Sequence, residues 1–275
     1  MSETHIGTTP EVQTDLRKHA GFQSDFLSEP RDIVVYLPPG YEEEQGRRYP
    51  VLYLHDGQNL FEGATAFVPG QDWHVSDTAD ERIRAGRVEP LIIVGIYNTG
   101  KHRIDEYTPT RDRKNGVGGD AALYGQMLTR ELKPFIDRTY RTLSGPSNTG
   151  LGGSSLGGLV TLYLGMLHPD VFGKLAVLSP SVWWDNRAIL KLVHTLGPRP
   201  SLQIWLDIGT GEGGKHVLNA RALRDELIKA GWVLKNDLAY TEIPEAGHSE
   251  AAWAERVGPF LEYLFPSAEE RRARR

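Results

Sequence analysis

"TGLGGSSLGGLVTLYLG" (Thr149–Gly165) sets two serines side by side, with Gly150, Gly152, Gly153, Gly157 and Gly158 packed around them. Glycine weakens regular elements, so this density marks either a loose linker or a turn too tight for side chains. The flanks decide between them. Asn148–Gly153 reads as a short glycine-rich strand, and Leu156–His168 reads as an apolar helix. Gly153-Ser154-Ser155-Leu156-Gly157 is therefore a G-x-S-x-G match between strand and helix, the context that gives the pattern meaning. Glycines at 153 and 157 are expected to relieve the clash of so sharp a turn. The turn lifts the Ser155 hydroxyl clear of the sheet and aims the Leu156 amide at whatever the serine attacks. The competing reading is a glycine-rich packing turn with no chemistry.

Outward from this turn, strand-like and helix-like segments alternate. Arg31–Tyr41 reads as a strand stopped by Pro38-Pro39-Gly40. Tyr49–Gly57 and Pro90–Asn98 are near-continuous apolar runs, as expected of strands buried on both faces. Lys174–Pro180, Ser201–Gly209 and Asp237–Ile243 complete the strands. Helices are expected over Asp120–Tyr140, where Leu123, Met127, Leu128, Leu132 and Phe135 recur at helical spacing, and near Arg187–Leu196, Val217–Ala230 and Glu250–Phe265. This alternation predicts an α/β fold with a mostly parallel central sheet and helices on both faces. No repeat or Pro/Gly/Ser linker divides the chain. The expectation is a polar segment over residues 1–20, one domain over 21–265 and a charged tail over 266–275.

Composition narrows the function. The 275 residues suit a single large domain, and a net charge of −5 gives no electrostatic support to a general nucleic-acid or anionic-membrane role. The chain has no cysteine, which excludes disulfides, thiol nucleophiles and Cys-ligated zinc. Its first residues lack the apolar centre of a signal peptide, and no apolar run approaches the roughly 18 residues of a membrane span. A soluble, cytoplasmic protein is expected, acting on a small molecule, with no nucleic-acid or membrane partner. Assembly into a homo-oligomer is left open.

A serine at its free pKa is a poor nucleophile, so Ser155 needs a base and an orienting acid further along. Of the nine histidines, His248 lies in the polar turn "IPEAGHSEAAW" (Ile243–Trp253), past a strand and before the last helix. The acid should leave the strand between the two. "IWLDIGTGEGG" (Ile204–Gly214) offers Asp207 inside the strand and Glu212 in the glycine-rich loop beyond it. Catalytic groups gather outside the strand carboxyl ends of open α/β sheets, which favours Glu212. The order Ser155, Glu212, His248 is that of the α/β-hydrolases. Gly209–His216 also matches a phosphate-binding loop, but His216 stands where a Ser or Thr would ligate Mg²⁺. For the oxyanion hole, "LHDGQNLF" (Leu54–Phe61) leaves an early strand through a glycine, and the second donor falls to Gln58, with Gly57 as its neighbour. His55 and Asp56 are adjacent at a strand end and should face opposite ways, so no metal site is expected there.

With "YLHDGQNLF", "RIDEYTP" (Arg103–Pro109), "GGSSLGG" and "GHSEAAW" in place, the sequence resembles the putative-esterase family of α/β-hydrolases over roughly Gly21 to Phe265. That family includes enterochelin esterases, S-formylglutathione hydrolases, feruloyl and acetylxylan esterases and mycolyltransferases. The resemblance implies an α/β-hydrolase fold, a serine carboxylic ester hydrolase working through an acyl-enzyme, Ser155 as nucleophile, His248 as base and no cofactor. Many members carry Asp at the acid position, so Glu212 is a departure and Asp207 stays in contention. Short-chain or aryl esters are the expected substrates, with siderophore and plant-polysaccharide esters among them. An acyltransferase or a catalytically silent binding domain on the same scaffold are the alternatives. Trp183 and Trp184 in "SPSVWWDN" are read as walls of the substrate pocket, with burial in a cap against the sheet as the equal alternative. "KHRIDEYTPTRDRK" (Lys101–Lys114) reads as a basic rim or a salt-bridged loop, with Arg103–Tyr107 as a structural brace.

Overall fold

The computed structural model describes residues 14–112, 114–195 and 197–273. Among them, eight strands form one sheet in the order β1-β2-β4-β3-β5-β6-β7-β8. The strands are β1 (Asp15–Phe22), β2 (Arg31–Leu37), β3 (Val51–His55), β4 (Ile92–Ile96), β5 (Thr149–Ser154), β6 (Lys174–Leu178), β7 (Gln203–Gly209) and β8 (Leu238–Ile243). β1/β2 and β2/β4 run antiparallel, and every pair from β4/β3 to β7/β8 is parallel. β5 lies at the centre, so the serine turn leaves the middle of the sheet.

Side chains alternate across the pleat. Val51 and Tyr53 of β3 join one apolar layer with Leu159 and Leu162 of the helix Leu156–Leu167, while Leu52 and Leu54 join the other with Val257, Phe260 and Leu261. Each such aliphatic side chain contributes ~1.5–3 kcal/mol when buried, which requires apolar residues at consecutive positions of a strand covered on both faces. The parallel register aligns the strand ends: Leu54 with Gly152, Ser154 with Leu178, Leu178 with Asp207, and Gly209 with Ile243. The loops after β3, β5, β6, β7 and β8 therefore open along one edge.

Four features differ from the sequence expectation. β1 begins at Asp15, inside the stretch expected to be a separate polar segment, because a half-exposed edge strand carries only weak alternation. The helix expected over Asp120–Tyr140 widens into a π segment at Met127–Leu132. The terminal helix divides into Glu250–Ala254 and Val257–Leu264. Pro259 has no N–H to give the carbonyl of Glu255, so a continuous helix there would lose that bond and crowd its ring. The charged tail contains the helix Ala268–Ala273, tied back by Arg271 to Glu89 at 2.9 Å. The expected helix end at Leu196 and the first part of the polar segment lie outside the described residues. No described helix is long and apolar enough to cross a membrane.

Candidate active site

Ser155 bridges β5 and the helix Leu156–Leu167 with φ 58° and ψ −118°. A non-glycine residue held there costs ~1–3 kcal/mol, which the surrounding packing must hold in place. The glycine requirement falls most sharply just outside the pentapeptide. A Cβ on Gly158 would lie 2.7 Å from the Leu178 carbonyl oxygen, whereas Cβ atoms on Gly153 and Gly157 would meet His55 at 3.1 Å and Asp56 Oδ2 at 3.3 Å. The tightest constraint is thus the approach of the helix to β6 rather than the turn's own pentapeptide.

Three side chains from three loops, Ser155, His248 and Glu212, line up in one hydrogen-bonded chain. Ser155 Oγ lies 3.0 Å from His248 Nε2, and His248 Nδ1 lies 2.7 Å from Glu212 Oε2. A carboxylate only accepts, so Nδ1 carries the proton and Nε2 is left to accept from the serine hydroxyl. The Glu212 side chain is 1% exposed. Burial pushes its carboxyl up, but hydrogen bonds from His248, Ser179 and the Gly209 N–H outweigh that and hold it below the ordinary glutamate value. Asp207 is placed elsewhere. It is fully buried, accepting from Arg256 Nη1 at 2.8 Å, Trp205 Nε1 at 2.7 Å and the Ser179 N–H at 3.2 Å. Burial keeps its carboxyl above the ordinary aspartate value despite Arg256.

Leu156 opens its helix, where an N–H has no intrahelical acceptor. Gln58 belongs to the 3₁₀ turn Gly57–Asn59 and lines the same cleft as Ser155. Its side-chain carbonyl accepts from the Asn98 N–H at 3.2 Å and its backbone carbonyl from Thr65 Oγ1 at 2.7 Å, which fixes the orientation of the turn. A Cβ on Gly57 would lie 2.6 Å from the backbone of Gly95 and Ile96, so only glycine lets the turn close on β4. Beneath it, Asp56 takes two hydrogen bonds from Arg103, each 2.7 Å, and its N–H donates to Tyr107 Oη at 3.2 Å. Arg103 and Tyr107 thus brace the turn. His55 points the other way, to Tyr124 Oη at 2.9 Å, and burial pulls its imidazole down to about 3. Among the described residues no group of three or more His, Cys, Asp or Glu is arranged to hold a metal ion.

Two clefts meet at Ser155. The more polar one, of about 300 Å³, is lined by Asn59, Asn98, Arg103 and Glu250 beside Phe67. The other, of about 620 Å³, is lined by Ser181, Trp183, Lys215, His216 and Asn219. Trp183 is 48% exposed at this cleft, but Trp184 is 6% exposed and turned into the core, its indole N–H donating to the Thr110 carbonyl at 2.9 Å. The expectation that both tryptophans wall the pocket is corrected for Trp184, because neighbouring side chains leave this turn in different directions. The loop Lys101–Lys114 pairs two of its cations with carboxylates of other segments, Lys101 with Glu29 at 2.9 Å and Arg103 with Asp56. Sequence reasoning missed Ser179 and Arg256, which contact Glu212, and Trp253, which bonds to Ser179 and packs against the His248 ring. Only the abrupt "LSP" ending of β6 marked the place.

The sequence matches the family described as "Putative esterase" over residues 24–261. It is 28% identical to an iron(III) salmochelin esterase of Escherichia coli over 262 residues, 89% of this chain and 55% of that protein. An uncharacterized protein of Bacillus subtilis, YbbA, is 25% identical, with 89% of this chain and 96% of that one aligned. Among solved structures, an IroE-like serine hydrolase from Shewanella oneidensis superposes with a TM-score of 0.75 at 25% identity, over 91% of this chain and 80% of that one. Family match, parallel sheet and serine turn agree: the chain belongs to the "Putative esterase" family of α/β-hydrolases, as a carboxylic ester hydrolase.

Proposed function

We propose that Ser155, His248 and Glu212 are the catalytic triad of a serine esterase acting on aryl carboxylic esters. The observation that carries this reading is the continuous hydrogen-bonded line from Ser155 Oγ through both ring nitrogens of His248 to Glu212 Oε2, at 3.0 and 2.7 Å. His248 Nε2 takes the serine proton as Oγ attacks the ester carbonyl carbon. The N–H groups of Gln58 and Leu156 receive the negative charge that develops on the carbonyl oxygen. When the tetrahedral intermediate collapses, the C–O bond to the alcohol breaks and the imidazolium returns its proton to the leaving oxygen. Water, deprotonated by the same nitrogen, then attacks the acyl-serine, releasing the acid and restoring Ser155.

The aryl assignment rests on Trp183, whose half-exposed ring offers a stacking face in the larger cleft. Lys215 and His216 lining the same cleft favour an anionic or phenolic substituent. Siderophore and feruloyl-polysaccharide esters both supply such groups, and relatives named for both chemistries align with this chain, among them a Xylanibacter ruminicola xylanase/feruloyl esterase at 31% identity over 167 residues. Hydrolysis of feruloyl and simple acetyl esters of one alcohol tests this reading. A kcat/KM advantage for the feruloyl ester supports it, and a preference for the acetyl ester contradicts it. Adding alcohol acceptors to the assay separates hydrolysis from acyl transfer.

A further inference from the structure

Ser179 follows β6, is 2% exposed and adopts φ 41° without being a glycine. Its hydroxyl has three partners: Arg256 Nη1 at 2.7 Å, Trp253 Nε1 at 3.2 Å and Glu212 Oε1 at 2.5 Å. Guanidinium and indole nitrogens only donate, so they occupy both lone pairs of Oγ. The single hydroxyl proton has one direction left, toward the glutamate. We propose that Ser179 is a positioning residue for the triad acid. Driven by Arg256 and Trp253 into a fixed donor role, it clamps Glu212 Oε1 so that Oε2 faces His248.

This inference rests on Glu212 being the acid. It explains how a glutamate serves in the short 3₁₀ turn Thr210–Glu212, between the end of β7 at Gly209 and the helix that opens at Gly214. The longer glutamate side chain has more rotamers to lose than an aspartate would. Two donors on one oxygen, Ser179 Oγ and the Gly209 N–H at 2.9 Å, remove that freedom. The clamp is itself held. Asp207 fixes Arg256 at 2.8 Å, and the ring of Trp253 packs edge-on against His248 with centroids 4.8 Å apart. Asp207 thereby serves the site at one remove, through Arg256 and Ser179.

The charged and titratable groups facing the Glu212–His248 pair are Arg256, with Nη2 3.6 Å from Glu212 Oε1, Asp207 behind it, Glu250 beside His248, and Lys215 and His216 across the larger cleft. Of these, only Arg256 loses a bond when the Ser179 hydroxyl is removed, and it keeps its contact with Asp207 at 2.8 Å. A carboxylate that loses this donor holds a proton on the pair more tightly, whichever of the two groups carries it. The acid limb of kcat/KM therefore moves to higher pH.

The test compares wild type, Ser179→Ala and Ser179→Gly, since glycine accepts the positive φ without strain. Both variants are expected to label at Ser155 with a fluorophosphonate probe, to lose kcat on the order of 10-fold to 100-fold with KM within about twofold, and to shift the acid limb upward by about 0.5–1 pH unit. Trp253→Phe keeps the ring on His248 but frees one lone pair of Ser179, and should shift the limb the same way by less. A folded, labelled Ser179→Gly whose limb stays put overturns the proposal, whether or not its kcat falls, and so does an unshifted limb in Trp253→Phe should Ser179→Gly fail to fold. Failure of wild type to label at Ser155 would instead refute the triad reading itself.

Discussion

Glu212→Gln isolates the acid with little change in shape, and the structure dictates which way the new amide must face. Oε1 of Glu212 receives the Ser179 hydroxyl at 2.5 Å and the Gly209 N–H at 2.9 Å. Glutamine has a single acceptor oxygen, and two donors converge on that position, so its carbonyl goes there and its NH₂ is turned to His248 Nδ1. An amide N–H facing Nδ1 requires Nδ1 to accept, which moves the ring proton to Nε2. The nitrogen 3.0 Å from Ser155 Oγ then holds a proton and has no lone pair for the serine's. The wrong tautomer and the lost carboxylate together should lower kcat by ~10²–10⁴, or ~2.7–5.4 kcal/mol of transition-state stabilisation, with KM little changed. The assay is p-nitrophenyl butyrate hydrolysis with the melting temperature measured alongside. A folded Glu212→Gln within tenfold of wild type would refute the reasoning.

Asp207→Asn should act chiefly on stability, because it weakens the buried contact with Arg256 at 2.8 Å. It is expected to lower the melting temperature while kcat falls far less than in Glu212→Gln, and an inactive but fully stable Asp207→Asn would contradict this chiefly structural role. Trp183→Ala should raise KM for aryl esters several-fold and leave acetyl esters nearly unchanged, since stacking contributes ~0.5–1.5 kcal/mol; equal effects on both would remove Trp183 from substrate binding. The pH dependence of stability has a defined sign. Burial raises the Glu212 carboxyl, but its hydrogen bonds leave it below 4.5 in the fold, so its contribution is present above that pH and is lost as pH falls through the lower, folded value. The melting temperature of wild type should therefore fall more steeply below pH 4.5 than that of Glu212→Gln, and parallel curves would contradict this.

The central strands and the serine turn were legible because each rests on a local rule. Continuous apolar runs mark strands covered on both faces, and Ser155 is framed by glycines between two such patterns. The placement of His248 and Glu212 in line with Ser155 was legible from chain order, the polar turn of one and the position of the other beyond β7. β1 was hidden because Asp15–Phe22 is half exposed, with little alternation to read. The division of the last helix follows from Pro259, yet the inward turn of Arg256 depends on Asp207 and Ser179, from distant parts of the chain. Trp183 and Trp184 show the same limit at shorter range. Sequence located the pair at the catalytic edge, and packing against Thr110 and Gly118 decided which of them faces the core.

The account turns on Ser155 as the nucleophile, and mass spectrometry of the acyl-enzyme tests it most directly. Wild type quenched during turnover of a slow aryl ester, then digested, should carry the acyl group on Ser155, and Ser155→Ala should carry none and lose on the order of 10⁴-fold or more in kcat. An acyl group found on Ser154 or Ser181, or turnover retained in folded Ser155→Ala, would contradict it.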